Sequence, residues 1–196
     1  HYLGPHLDIH GGGQDLVFPH HENEIAQTEA FTGEAPFADH WVHNGLLQID
    51  EGKMSKSFGK LVTVRDALAK FSSDTMRLFF LNSHYHSPLA YADESIEGQQ
   101  RAAERLLTTL EIDGNDNAGS EAVDPEPFRQ RFMTAMDDDL NTPQALAALF
   151  DLTREINRGH DENKQIASAQ ETLRELTGVL GLRLHPQEEE STQSAN

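Results

Sequence analysis

Five consecutive residues, Lys53-Met54-Ser55-Lys56-Ser57, place two ammonium groups and two hydroxyls directly after an Asp50-Glu51-Gly52 turn. These are phosphate-binding groups. Lysines on a mobile loop can be delivered to negative charge as it develops on a leaving phosphate, which makes Lys53, Lys56 and Ser57 candidate catalytic residues. Most stretches with two lysines are merely solvated basic loops, so the weight here rests on the order of the five residues.

A second candidate region runs from Asp8 to Glu24: Asp8-Ile9-His10-Gly11-Gly12-Gly13-Gln14-Asp15-Leu16-Val17-Phe18-Pro19-His20-His21-Glu22-Asn23-Glu24. A glycine run after a strand lets a ligand approach the backbone closely. An acidic residue just beyond it, here Asp15, can accept hydrogen bonds from a ribose or an amine. If Pro19 opens a helix, His20 and Glu24 stand four residues apart on one face, a spacing at which two side chains can hold one metal ion, with His21 and Glu22 pointing elsewhere. Taken alone, a His/Glu pair at that spacing is more often an exposed hydrogen-bonded pair.

The elements that must carry these groups fall into two kinds. Residues 1 to about 60 mix short β-like runs with glycine turns and one helix, whereas residues from about 73 to 182 read as helices separated by polar breaks. Leu7-Asp8-Ile9-His10 reads as a strand ending at Gly11, and His40 to Ile49 as two short strands around Asn44-Gly45. Pro19 suits the first position of a helix running to about Phe31. Further on, Ile96, Ala103, Leu106, Leu107 and Leu110 share a helix face, as do Phe128, Phe132 and Met136. Thr142 before Pro143 predicts the start of a helix carrying Leu146, Leu149, Phe150 and Ile156, with a stop at Arg158-Gly159. Ile166, Ala169, Leu173, Leu176 and Leu180 form the last stripe. Stripes of this kind are bundle core and carry no chemistry. Residues 114–124 read as a polar linker, and residues 187–196 as a polar tail.

Composition narrows the chemistry further. With 33 acidic and 15 basic residues the formal charge is -18, the wrong sign for holding nucleic acid by a broad field, so any RNA contact must be local. The absence of cysteine excludes a disulfide scaffold and a cysteine-only zinc site within the chain. The longest apolar runs, such as Leu78-Phe79-Phe80-Leu81, fall far short of the roughly 20 residues of a membrane span. Beginning at His1 with no initiator Met and no leader, the sequence reads as a piece of a longer protein.

The lysine loop matches, letter for letter, the signature loop of class I aminoacyl-tRNA synthetases. Together with Phe18-Pro19-His20-His21-Glu22-Asn23-Glu24-Ile25-Ala26-Gln27 it resembles the cysteinyl-tRNA synthetase family. Thr63-Val64-Arg65-Asp66, His84-Tyr85-His86-Ser87-Pro88-Leu89 and Ala135-Met136-Asp137-Asp138-Asp139-Leu140-Asn141-Thr142-Pro143 resemble further segments of it, so the likeness spans residues from about 7 to 183. It implies an α/β then all-α fold. Residues 1–72 would be the second half of a Rossmann-like catalytic domain, 73–183 a DALR-like helical bundle contacting tRNA, and 184–196 a tail or linker. It implies zinc held by His20 and Glu24, contact with ATP by Lys56, Gly12, Asp15 and His10, magnesium accompanying the ATP, and Asp137 to Asp139 as solvated or capping groups. The implied reaction is activation of L-cysteine with ATP and transfer to tRNA(Cys), in a cytoplasmic protein, monomeric and free of the membrane. The family's upstream H-x-G-H-type element and its cysteine zinc ligands do not occur in this sequence, so the isolated piece is expected to be inactive and to bind zinc poorly. Two other readings share the core: a ligase joining cysteine to an amino sugar in mycothiol synthesis, and a non-catalytic synthetase paralogue.

Overall fold

The computed structural model describes residues 4–49, 62–113 and 119–184, which form two compact units. Lys53, Lys56 and Ser57, residues 114–118 of the expected linker and the expected tail lie outside the described residues.

The first unit contains residues 4–49 and 83–91. Strand β1 (Leu7–Gly13) leads through a 3-10 turn (Gln14–Leu16) and a π turn (Val17–His21) into helix α1 (Glu22–Thr32), and the chain returns as β2 (Ala38–Asn44). β1 and β2 pair in parallel from Leu7↔Ala38 to Gly13↔Asn44, with α1 as part of the crossover that parallel strands require. The strand does not stop at the glycines as expected: Gly11, Gly12 and Gly13 pair with Val42, His43 and Asn44, because a backbone ladder needs no side chains. Nor does Pro19 open the helix. It lies within the π turn, behind an extended Phe18 of the kind a following proline favours, and regular helix begins at Glu22. The two strands expected around Asn44-Gly45 exist, but in separate sheets. β3 (Leu47–Ile49) pairs in parallel with β4 (Leu89–Tyr91), and Gly45 N–H donates to Tyr85 O at 2.7 Å, so the partner of β3 comes from far along the chain.

The second unit contains residues 62–82, 92–113 and 119–184. Its helices are α2 (Val64–Leu68), α3 (Ser73–Leu81), α4 (Asp93–Glu111), α5 (Glu126–Asp137), α6 (Thr142–Asp161) and α7 (Ala167–Val179). The segment Thr63 to Asp66 is a reciprocal capping box: Thr63 Oγ1 accepts from Asp66 N at 3.1 Å, and Asp66 Oδ2 accepts from Thr63 N at 3.2 Å. Leu106, Phe132, Leu149, Leu152, Ile156, Leu173 and Leu176 are buried in one core, where each side chain contributes about 1.5–3 kcal/mol by leaving water. α6 is capped by Asn141, whose side chain accepts from Gln144 N at 3.4 Å, rather than by Thr142. It also runs on past Arg158-Gly159, since Gly159 is buried where a Cβ would overlap Val123 Cγ2 and is needed for close approach, not for termination. Asp138 follows α5 and accepts from Asn141 Nδ2 at 3.2 Å. No helix among the described residues is long and apolar enough to cross a membrane.

Candidate active site

Alternation along the paired strands decides which side chains meet. His10 lies opposite Trp41 and Gly12 opposite His43, so these four positions fall on one face of the β1–β2 pair. On that face His10 packs on Trp41 with ring centroids 4.8 Å apart, and His43 stacks on Trp41 at 5.9 Å with an interplanar angle of 8°. The π turn brings His21 onto the same face, 5.2 Å from Trp41 and 5.0 Å from His43. Gly12 leaves the room for it. A Cβ at Gly12 would stand 2.9 Å from His21 Cε1.

Hydrogen bonds lock this wall. His10 Nε2–H donates to Glu24 Oε2 at 2.7 Å, while His20 Nε2 lies 3.4 Å from the other oxygen, Oε1. The His10 bond foremost, with electrostatic attraction toward the neighbouring imidazoles, holds the Glu24 carboxyl below the usual carboxylate range. His21 is 3% exposed, and its Nδ1 lies 2.8 Å from His43 Nε2, one ring donating to the other. Burial first, then repulsion from His10 and His43, lowers the pKa of His21.

Of the expected site residues, the structure brings His10, His20 and Glu24 together. Gly12 lies against His21, and the Asp15 carboxylate folds back onto Gly13, where a Cβ would overlap its Oδ1. His21 does not point elsewhere as expected. His10, His21 and Glu24 each offer a ligand atom, all within 4.8 Å of one another, because residues 17–21 form a wide π turn and do not follow α-helical spacing. His20 is more open, its side chain 59% exposed. Trp41 and His43 were missed in the sequence; their alternation with His10 and Gly12 is a signal only once the parallel pairing is known. Gln14 ties the end of β1 to the returning segment, its Nε2 donating to His86 O at 2.8 Å. A carboxylate with one oxygen held by an imidazole and the other facing a second imidazole is a donor set suited to a borderline metal ion such as zinc.

A family model described as the class I (C) tRNA synthetase catalytic domain matches residues 1–101, and a second, the DALR domain, matches residues 131–185. The chain belongs to the class I (C) tRNA synthetase family. Its architecture is accordingly a segment of that catalytic domain followed by a DALR helical domain. A protein named cysteine–tRNA ligase from Dehalococcoides mccartyi is 51% identical over 183 residues, 93% of this chain and 40% of the relative. Another of that name, from Thioalkalivibrio sulfidiphilus, is 52% identical over 187 residues, 93% of this chain and 39% of the relative. The chain therefore spans about two fifths of the length of these curated relatives. Solved synthetase structures share the fold. A LeuRS–tRNA–LeuAMS ternary complex from Agrobacterium radiobacter K84 aligns with a TM-score of 0.64 at 18% identity, covering 89% of this chain and 25% of that one. Methionyl-tRNA synthetase from Mycobacterium tuberculosis, bound by methionyl-adenylate, aligns with a TM-score of 0.55 at 20% identity, covering 88% of this chain and 38% of that one.

Proposed function

We propose that this chain serves an ATP-dependent cysteine–tRNA ligase, activating L-cysteine as an adenylate and passing it to the terminal ribose of tRNA(Cys). The observation that carries the reading is the Glu24 carboxylate divided between two imidazoles on the glycine-strand face, in a chain about half identical to proteins named cysteine–tRNA ligase. In the first step the cysteine carboxylate attacks the α-phosphate of ATP, which is accompanied by magnesium, and pyrophosphate leaves. Lys53 and Lys56, with the Ser57 hydroxyl, meet the growing charge on pyrophosphate. Gly12 and its neighbours let the adenylate approach the strand, with His10 and Asp15 beside it. In the second step a ribose hydroxyl of the tRNA attacks the activated carbonyl.

His20 and Glu24 are the residues that would hold zinc, and His10 orients Glu24 for it by fixing Oε2 and leaving Oε1 toward His20. Bound there, the metal supplies a coordination position that prefers a thiolate to a hydroxyl, a discrimination against serine that an ordinary pocket achieves poorly. Residues 1–72 would carry this chemistry and 73–183 the tRNA contacts, with 184–196 as tail or linker, in a cytoplasmic monomer with no membrane partner.

The test is pyrophosphate exchange driven by cysteine in a complete enzyme that carries this chain together with the upstream half of the catalytic domain, followed by acceptor assays. Lys56→Ala is expected to slow adenylate formation far more than it weakens cysteine binding. An unchanged exchange rate would remove the lysine loop from the mechanism. Transfer to an amino sugar in place of tRNA would overturn the tRNA reading.

A further inference from the structure

In a chain with 33 acidic and 15 basic residues, a polyanion can be held only where cations are not already engaged. Most cations of the second unit are. Arg129 forks onto both oxygens of Glu175 at 2.6 and 2.7 Å, Arg131 and Arg154 share Asp151, Arg158 binds Glu155, and Lys164 binds Glu162. Lys70 binds Asp93, Arg174 is held by a carbonyl, and Arg105 lies over the Phe150 ring. Among the described residues of this unit, Arg65, Arg77, Arg101 and Arg183 are exposed and in no ion pair.

These four do not stand in equivalent fields. On α4, Arg101 lies between Glu97 and Glu104, four residues before and three after it, and on α2 Arg65 precedes Asp66. Arg101 thus has carboxylates on its own helix face, whereas Asp66, adjacent to Arg65 in sequence, is held by the Thr63 amide and hydroxyl. Arg77 has Ser73, Phe80 and Leu81 as helix neighbours, and its one acidic neighbour on that face, Asp74, is already committed. Asp74 Oδ1 accepts from Arg183 N at 3.0 Å and Oδ2 from Leu184 N at 2.8 Å. Those two bonds fasten the turn after α7 to α3. Arg77 reaches across the same turn, so that a Cβ at Gly181 would stand 3.0 Å from its Nη1. A second carboxylate, Glu104, accepts from Gln100 Nε2 at 3.2 Å and lines a cavity with Asp74 and Leu184. Arg77 and the exposed Arg183 thus meet at one edge of the helical unit, beside an acid whose oxygens are already satisfied.

We propose that Arg77 and Arg183 contact neighbouring phosphates of an RNA backbone, supplying the local anchor that a chain of this charge requires. The proposal rests on the tRNA reading above and deepens it by naming the residues of contact. Guanidinium groups suit the purpose because their planar donors match phosphate oxygens in pairs.

The salt dependence of tRNA affinity tests it, measured by filter binding with the full chain between about 50 and 200 mM salt. Each phosphate contact contributes about 0.7–0.9 to the slope of log affinity against log salt, so Arg77→Gln and Arg183→Gln should each flatten it by about that much and the double variant by about twice as much. Arg158→Gln, which removes an arginine already bound to Glu155, should leave the slope alone, and Arg77→Lys and Arg183→Lys should keep most of it. A double variant with the wild-type slope overturns the proposal, as does a lysine variant that loses as much slope as the glutamine one. If the wild-type chain itself shows no salt-dependent tRNA binding, the tRNA reading falls along with it; wild-type binding with unaltered variants refutes this proposal alone.

Discussion

Replacing Gly12 by alanine adds one methyl group at the most crowded point of the histidine wall. The backbone of Gly12 is not in the left-handed region, so alanine is conformationally admissible and the outcome depends on space. The new Cβ would meet His21 Cε1 at 2.9 Å, Leu16 Cδ1 at 3.0 Å and His21 Nε2 at 3.1 Å. Leu16 can yield, because its side chain lies at the surface. His21 cannot yield freely, being 3% exposed, bonded to His43 at 2.8 Å and packed among three tilted rings. Overpacking of this kind costs about 1–3 kcal/mol. Removing a glycine from the unfolded chain returns about 0.4–1 kcal/mol, leaving a net loss of up to about 2.6 kcal/mol. Urea denaturation followed through Trp41, the one tryptophan of the chain, reads the unit that contains the change. In a double-mutant cycle with His21→Ala, the truncated ring should relieve the clash, giving coupling of about 0.5 kcal/mol or more. Strict additivity, or a stabilised Gly12→Ala protein, would mean that His21 does not occupy the space above Gly12.

Two further perturbations probe the same unit. His6 Nδ1 lies 2.8 Å from Pro36 O and Nε2 3.1 Å from Asp39 Oδ2, and these two bonds, the backbone one foremost, raise its pKa above the ordinary 6.5. The folded state therefore binds this proton more tightly than the unfolded chain; the stabilisation is complete below about pH 6.5 and disappears as pH rises through the raised value. Asp39→Asn should lower the His6 titration midpoint in proton NMR only part of the way, since the Pro36 bond remains; a complete return to 6.5 would contradict the order of causes. Replacing His10 by phenylalanine keeps a ring against Trp41 but frees Glu24 Oε2, and zinc affinity measured by competition with a chelating dye should drop by about 10–100-fold. Unchanged affinity would show that Glu24 needs no such tether.

The helical unit was largely legible in the sequence because its signals are local. Leu149, Ile156, Leu173 and Leu176 sit where helical spacing placed them, in the core. Gly159 misled for a physical reason: glycine is favoured both where a helix stops and where two elements come too close for a side chain, and sequence alone does not separate these uses. In the α/β unit the decisive facts are pairings. Nothing near Leu47 announces Leu89 as its partner, and nothing in Gly11 to Gly13 announces a ladder with Val42 to Asn44. The spacing of His20 and Glu24 was readable, whereas His21 and His43 meet through a π turn and a strand register that no short window contains.

The end of α4 is closed by side chains from α7. Gln170 Nε2 donates to Thr109 O and to Ile112 O, each at 2.9 Å, and Arg174 donates to Leu110 O at 3.1 Å. Carbonyls at a helix end are usually satisfied by nearby chain or by water; here they wait for residues about sixty positions further along. Neither helix can fray alone without stranding polar groups of the other. The amides of both should therefore exchange with deuterium as one block, and a destabilising change in α7 should be felt in protection at the far end of α4.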